Sequence, residues 1–270
     1  MSTSTHIKTF TRVAALLCAL SAFAVVAPGR AQAASMTEGA KEFKSFVIAH
    51  IGKAIAGAKK LQAAVKAGDV KAAQAAWIES RKGWEAMEPV TGDYFGDFDK
   101  VIDAWPDAKQ GYHAIEAALF AGKIEGLEKP VAALVANLNK FEERAKGKDF
   151  NFTPQRLLNG TANLAYEVGE EKSKGGESPF AGTSQIDMQE NVEGIEAAYQ
   201  LVFAESLKKA DPELAGLIHD RIEKLEKLVQ VKDIKSLNAK AVHIAGEELA
   251  VMLQSAAPKL GLKEFKVGDE

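Results

Sequence analysis

The sequence predicts an all-α protein made of two packed (four-)helix bundles, and three observations carry that reading. Its 270 residues are rich in Ala, Leu, Lys and Glu. Its apolar residues recur at spacings of three and four, as on one face of a helix. No stretch alternates apolar and polar residues long enough to make a strand.

The elements follow in order. Phe43, Phe46, Val47, Ile51, Ala54, Ile55, Ala58, Leu61 and Val65 trace one helical stripe. Gly68-Asp69 interrupts it, and Asp69 is placed to cap a second helix running to Glu88, where Pro89 ends it. A third starts near Pro106-Asp107 and carries Tyr112 to Phe120, and Pro130 to Lys146 reads as a fourth. Thr153-Pro154 supplies an N-cap with proline at the first helical position, opening a helix through Lys172. Ser184 to Lys208, Pro212 to Val231 and Ile234 to Ala257 complete the set. Two stretches resist a helical reading: Gly92 to Trp105, with aromatics among aspartates, and the Gly-Ser-Pro-rich Lys174 to Thr183, expected to be a surface loop. An echo between Leu61–Lys71 and Leu225–Lys235 is compatible with an internal duplication, and equally with the repetitiveness of helical sequence. Glu85 would then fall on Leu249, so only one half would carry the acids considered below.

The first 33 residues read as an export signal. Lys8 and Arg12 precede an apolar run from Val13 to Val26, and Ala31-Gln32-Ala33 offers a small-x-small cleavage pattern. The run is shorter than the about 20 residues a membrane span needs. Leu17 before the single Cys18 speaks against lipid anchoring. Cleavage near Ala33 would release a periplasmic chain, 34–270, with no cysteine and no membrane span. Stability must then come from a core rather than disulfides, and thiolate chemistry is excluded. The whole chain carries 34 basic and 37 acidic residues; without Lys8, Arg12 and Arg30 the basic count is 31 and the formal charge −6. That balance disfavours nucleic acid as a partner.

His113 and Glu116 stand three apart on one helical face, close enough to share an ion. Imidazole with carboxylate suits iron, zinc, manganese or copper. A packed histidine with an acid one turn on is the bland alternative. Glu85 and Glu88 fall in the last turn of their helix, where the dipole disfavours negative charge. They require a compensating cation, either Arg81 four residues earlier or a metal. Two such pairs converging across a bundle would make a metal site, as carboxylate–histidine bundles do. His243 and Glu247, four apart, are a weaker pair that suits surface pairing or an ion. His50 reads as packed and His219 as exposed. Trp77 and Trp84 share a face and read as core, whereas Tyr94, Phe95 and Trp105 are candidates for an exposed binding surface. There is no His-Glu-x-x-His, no Gly-x-Ser-x-Gly and no phosphate loop. Nothing names a nucleophile, and the absence of cysteine from residues 34–270 and of a methionine-histidine cluster disfavours a copper electron-transfer site.

Gly111-x-His113-x-Ile115-Glu116 resembles the Gly-x-His-x-x-Glu signature of the imelysin-like family, and of its EfeO/EfeM subgroup in particular. The likeness extends through Trp84-Glu-Ala-Met-Glu-Pro89, Phe95-Gly-Asp-Phe-Asp-x-x-Ile-Asp103, Leu164-Ala-Tyr-Glu-Val168 and Asp187-Met-Gln-Glu-Asn-Val-Glu-Gly194. The resemblance implies a two-bundle helical fold and a periplasmic, non-enzymatic component of high-affinity iron uptake. Its implied metal ligands are His113, Glu116, Glu85 and Glu88, with Asp97, Glu167 and Asp187 as ligands or supporting acids. Iron is the implied ion, with Zn2+ or Cu2+ as alternatives. The implied partners are a membrane iron permease and a periplasmic haem peroxidase. The longer members of the subgroup carry a cupredoxin domain that this chain lacks. Two alternatives remain at this point: an alginate or acidic-polysaccharide binder, and a metallopeptidase of the imelysin type.

Overall fold

The structure, a computed structural model, describes residues 28–103 and 109–268. All regular structure among them is helical. Residues 1–27 of the expected 1–33 export signal lie outside the described residues, as do Trp105, Pro106 and Asp107. Pro28 to Ala33, the end of the expected signal, already belong to the first helix.

Helix α1 spans Pro28–Ala67, and 40 residues at 1.5 Å each make it about 60 Å long. Its stripe from Phe43 through Val47, Ile51, Ala54, Ala58 and Leu61 is fully buried. Asp69 then caps α2 (Val70–Glu85), accepting from the Ala72 N–H at 3.0 Å. Helices α1 and α2 pack closely because Gly57 and Gly83 leave room: a Cβ on Gly83 would sit 2.6 Å from the His50 carbonyl oxygen. Trp77 and Trp84 enter the core, as predicted.

The region that follows departs from expectation twice. Helix α2 ends at Glu85 rather than Glu88, and Glu88–Val90 forms a separate 3-10 turn. The stretch predicted to be irregular is a helix, α3 (Thr91–Ile102), kinked at Phe95 (φ −134°, ψ 24°). Its aspartates hide the signal, but Phe95, Phe98 and Ile102 recur at helical spacing and are buried while Asp93 and Asp97 stay exposed. Tertiary burial overrides the poor helix propensity of that composition. Phe95 is therefore core, stacked on Phe141 at 4.0 Å, and Tyr94 packs edge-on to Phe152. They do not form the exposed aromatic surface expected of them.

Helix α4 (Gly111–Phe120) begins where Gly111 adopts φ +81°. A side chain there would meet the Ile102 carbonyl oxygen at 2.3 Å. The glycine of Gly-x-His-x-x-Glu thus lets α4 start hard against the end of α3, which fixes where His113 points. Helix α5 (Glu128–Lys146) completes the first bundle against α1, α3 and α4.

The second bundle holds α6 (Pro154–Glu170), α7 (Ser184–Ala198), α9 (Pro212–Val229) and α10 (Ala239–Lys259). A π-helical turn at Tyr199–Phe203 joins α7 to the short α8 (Ala204–Ala210), so the predicted Ser184–Lys208 helix is one rod with a bulge. Helix α10 starts later than predicted because Ile234–Ser236 forms its own 3-10 turn capped by Asp233. Both echoed segments thus carry, two residues before their ends, an aspartate that caps the turn beginning there. A continuous apolar core runs through both bundles. The Ala86–Pro89 corner is clasped between them: Gly160 and Gly194 are bare of side chain where the Pro89 and Ala86 carbonyls press against α6 and α7.

Candidate metal centre

The charged residues gather where the two bundles meet. Helix α2 brings Arg81 and Glu85 on its buried face, and the 3-10 turn brings Glu88. The end of α3 brings Asp103, and α4 brings His113 and Glu116. Lys172 and Glu177 follow α6, and α7 adds Asp187 and Asn191.

Arg81 is the hub. Its guanidinium pairs with Glu85 and Asp103, with Glu177 at 3.0 Å and with Asp187 at 3.3 Å. Lys172 sits beside it, with Nζ 2.9 Å from Glu88, 3.0 Å from Glu177 and 3.6 Å from Glu85. Asn191 donates to Glu85 Oε2 at 2.9 Å and to Glu88 Oε2 at 2.6 Å. Trp84 Nε1 donates to Asp103 at 2.7 Å. His113 stands between two carboxylates, Nε2 3.2 Å from Asp103 and Nδ1 3.4 Å from Glu116.

Burial works against the charge on Arg81 and Lys172, yet both are held charged by the carboxylates around them: Asp103, Glu85, Asp187 and Glu177 for Arg81, and Glu177, Glu88 and Glu85 for Lys172. Burial likewise opposes the charge on His113, but Asp103 and Glu116 push its pKa up to about 9. Burial alone would raise Asp103, but Arg81 and His113 outweigh it and hold that carboxyl well below the usual carboxylate range. Burial pushes Asp187 up to about 7 and, with the Asp103 charge, Asp99 up to about 6. Six carboxylates of this network (Glu85, Glu88, Asp103, Glu116, Glu177 and Asp187) face three cations. The surplus is met by protons: burial and the neighbouring carboxylates raise Glu88 well above the usual carboxylate range, as burial raises Asp187.

Part of the network opens onto a cleft of about 310 Å³ lined by Glu88, Asp99, Asp103, His113, Glu167, Glu171, Lys172, Gly176 and Glu177. Of the residues singled out from sequence, His113, Glu88 and Glu167 line it. Glu85 and Glu116 are fully buried and line none of it. Asp187 is buried against Arg81. Asp97 is a correction: it lies on the outer surface, bound by Arg144 at 2.6 and 2.7 Å, and is not brought to the cluster.

Two sets of side chains stand ready for a cation. Asp103, His113 and Glu177 each offer a ligand atom within 4.8 Å of the others, and so do Glu85, Glu88 and Glu177. In the second set the Lys172 ammonium occupies the position a metal would take, contacting all three carboxylates. In the first, His113 turns Nε2 toward the acids of the cleft while Nδ1 faces Glu116. That is the arrangement in which an outer carboxylate orients a ligating imidazole. One oxygen of Glu116 also accepts the Phe180 and Ala181 N–H groups, both at 2.9 Å. Glu116 therefore holds at once the ring and the loop that carries Glu177.

From sequence alone, no role falls to Asp103, Lys172, Glu177 or Asn191. Asp103 is one of four aspartates in a short stretch, and nothing local separates it from Asp97. Glu177 does carry a signal, as the single acid in a Gly-Ser-Pro loop with no helix to solvate.

The family model for imelysin, a label of peptidase type, matches residues 40–251. The chain belongs to the imelysin family. It is 31% identical over 207 residues to an Efem/EfeO family lipoprotein of Staphylococcus haemolyticus, covering 73% of this chain and 71% of that one. It is 28% identical over 197 residues to the iron uptake system component EfeO of Escherichia coli strain K12. That match takes in 69% of this chain and 52% of the relative, so the chain spans about half the length of that imelysin relative. Among solved structures, one from Parabacteroides distasonis that carries the name iron-regulated protein A precursor superposes with a TM-score of 0.63. It covers 86% of this chain and 95% of its own at 16% identity, which establishes a shared helical fold.

Proposed function

We propose that this chain is a periplasmic cation-capture component of an iron uptake system, and that iron is its cargo. The observation that carries the reading is the Asp103–His113–Glu177 set, preformed at the edge of an acidic cleft between the bundles. Carboxylate oxygens with one imidazole suit Fe2+ or Fe3+ and tolerate Zn2+ or Cu2+. Glu88 and Glu167 line the same cleft and add carboxyl oxygens at its walls. Glu116 orients His113, and Glu85 is held behind the cleft by Arg81 and Asn191. The name of the Escherichia coli relative, an iron uptake system component, supports iron over other ions. No described helix is long and apolar enough to cross a membrane. Hand-over of the ion to a separate membrane permease, with a haem peroxidase as a further partner, completes the proposal.

Capture and release without chemistry is the better reading of this site than peptide hydrolysis. A hydrolytic metal needs an open position beside a free general base. Here Glu177 and Glu88 are engaged by Arg81 and Lys172. That leaves Asp99, its pKa raised to about 6 at the cleft wall, as the acid a hydrolytic reading would have to use as its base. The test is a titration of metal-free protein with Fe2+, Fe3+ and Zn2+, comparing wild type with the double variant Asp103→Asn, His113→Ala. Loss of tight binding in the variant supports the assignment, and equal binding by both proteins ends it.

A further inference from the structure

Away from the cleft, the crossing of α6 and α10 brings together a second group of metal-ligating side chains. Gly169 and Gly246 meet there without side chains between them: a Cβ on Gly246 would lie 2.6 Å from the Ala165 carbonyl oxygen, and one on Gly169 2.9 Å from the His243 carbonyl oxygen. Such close backbone contact fixes the separation and register of the two helices. It sets Glu170, at the last turn of α6, against the His243 ring, while Glu247 lies one turn along α10 on the same face. His243 Nδ1 is 3.6 Å from Glu170 and Nε2 is 3.4 Å from Glu247.

We propose that Glu170, His243 and Glu247 form a second, solvent-facing site for a borderline divalent cation of the Zn2+, Cu2+ or Fe2+ type. One ligand atom from each residue lies within 4.8 Å of the other two. An i, i+4 His–Glu pair alone is ordinary surface chemistry. The third ligand, delivered from another helix at a crossing locked by two glycines, turns the pair into a three-residue set on rigid elements. One imidazole with two carboxylates favours borderline transition metals over Mg2+ or Ca2+, which take all-oxygen shells. The three side chains are each between 30% and 43% exposed, so water completes the coordination sphere. The cation paired with Glu170, Lys174, is 3.6 Å away and 69% exposed, free to swing into solvent when a metal arrives. This contrasts with Lys172, which is buried among its carboxylates.

The site is independent of the cleft, and Zn2+ titrations by calorimetry separate the two. Wild-type protein is expected to bind two Zn2+ per chain, a tighter and a weaker one. His243→Ala and the conservative Glu247→Gln are each expected to remove the weaker event and leave the tighter one unchanged, both variants remaining helical by circular dichroism. His113→Ala is expected to remove the tighter event and keep the weaker, which the addition of His243→Ala then abolishes. Unchanged stoichiometry and affinity in His243→Ala would overturn the outer site. An unchanged tight event in His113→Ala would overturn the cleft reading instead, so the two failures are told apart.

Discussion

Two His–Glu pairs on helices, His113 with Glu116 and His243 with Glu247, look alike in sequence and differ in almost everything else. The first pair is 4% and 0% exposed, and the second 37% and 43%. Around the first, Arg81 and Lys172 tie five carboxylates into a network that only a folded chain can assemble. Around the second stand one partner acid and one exposed lysine. The residue pattern is therefore neutral about its use. What distinguishes the pairs is how much water has been removed and how many charges depend on each other.

The contrast is broken most forcefully at the hubs. Arg81→Met leaves Glu85, Asp103, Glu177 and Asp187 without their shared cation in the interior. It is expected to cost on the order of 3–5 kcal/mol in urea unfolding. Lys174→Met, the matching change at the outer pair, is expected to stay within about 0.5 kcal/mol. Similar losses from both would show that the buried network is no more cooperative than the surface one.

Next in size is the pH dependence of the metal-free protein. The folded His113 pKa is raised to about 9 from an ordinary 6.5. Its contribution is therefore fully present below pH 6.5 and is lost as pH rises through about 9. A tenfold change in proton affinity is worth about 1.4 kcal/mol, so the wild type is expected to lose up to roughly 3 kcal/mol across that window. Unfolding midpoints from about pH 6 to about pH 10 check this, and His113→Gln should lack the slope. A slope that survives in His113→Gln belongs to another group.

A third difference concerns Glu116, which orients a ring and latches a loop. Glu116→Ala is expected to weaken cation binding at the cleft by about 10–100-fold, the usual cost of losing an outer partner of a metal-bound imidazole. Protection of the Phe180 and Ala181 amides from hydrogen exchange should fall with it. At the outer site Glu247 is itself a ligand, and its loss should leave exchange in the 176–183 loop untouched. The smallest effect is expected from Asp97→Asn, which removes an exposed pair with Arg144. It should cost no more than about 1 kcal/mol and leave metal affinity as it was.

Much of this architecture is legible in the sequence, because helical periodicity and capping are local. The α1 stripe, the Asp69 cap, the Thr153-Pro154 start and the buried tryptophans all follow from neighbours a turn apart. Helix α3 is not legible in that way, since its aspartates read as loop and only burial of Phe95, Phe98 and Ile102 makes it a helix. At the site, the need of Glu85 for a cation is readable from its place at a helix end, and Arg81 four residues earlier is the partner found. The rest depends on chain crossings of high sequence separation. Lys172 reaches Glu88 across 84 residues, and Asn191 reaches Glu85 across 106. No spacing rule reports such contacts, and for the same reason Asp103 cannot be told from Asp97 until the fold buries one and exposes the other.

The central claim is that the cargo ion sits between Asp103, His113 and Glu177, with Glu116 behind the ring. Anomalous diffraction at the iron edge, from crystals of the protein loaded with one equivalent of iron, tests it most directly. The expected result is a single strong peak in the cleft within bonding distance of His113 Nε2 and of carboxylate oxygens of Asp103 and Glu177. A peak among Glu85, Glu88 and Glu177 with Lys172 displaced, or one remote from His113, would contradict it.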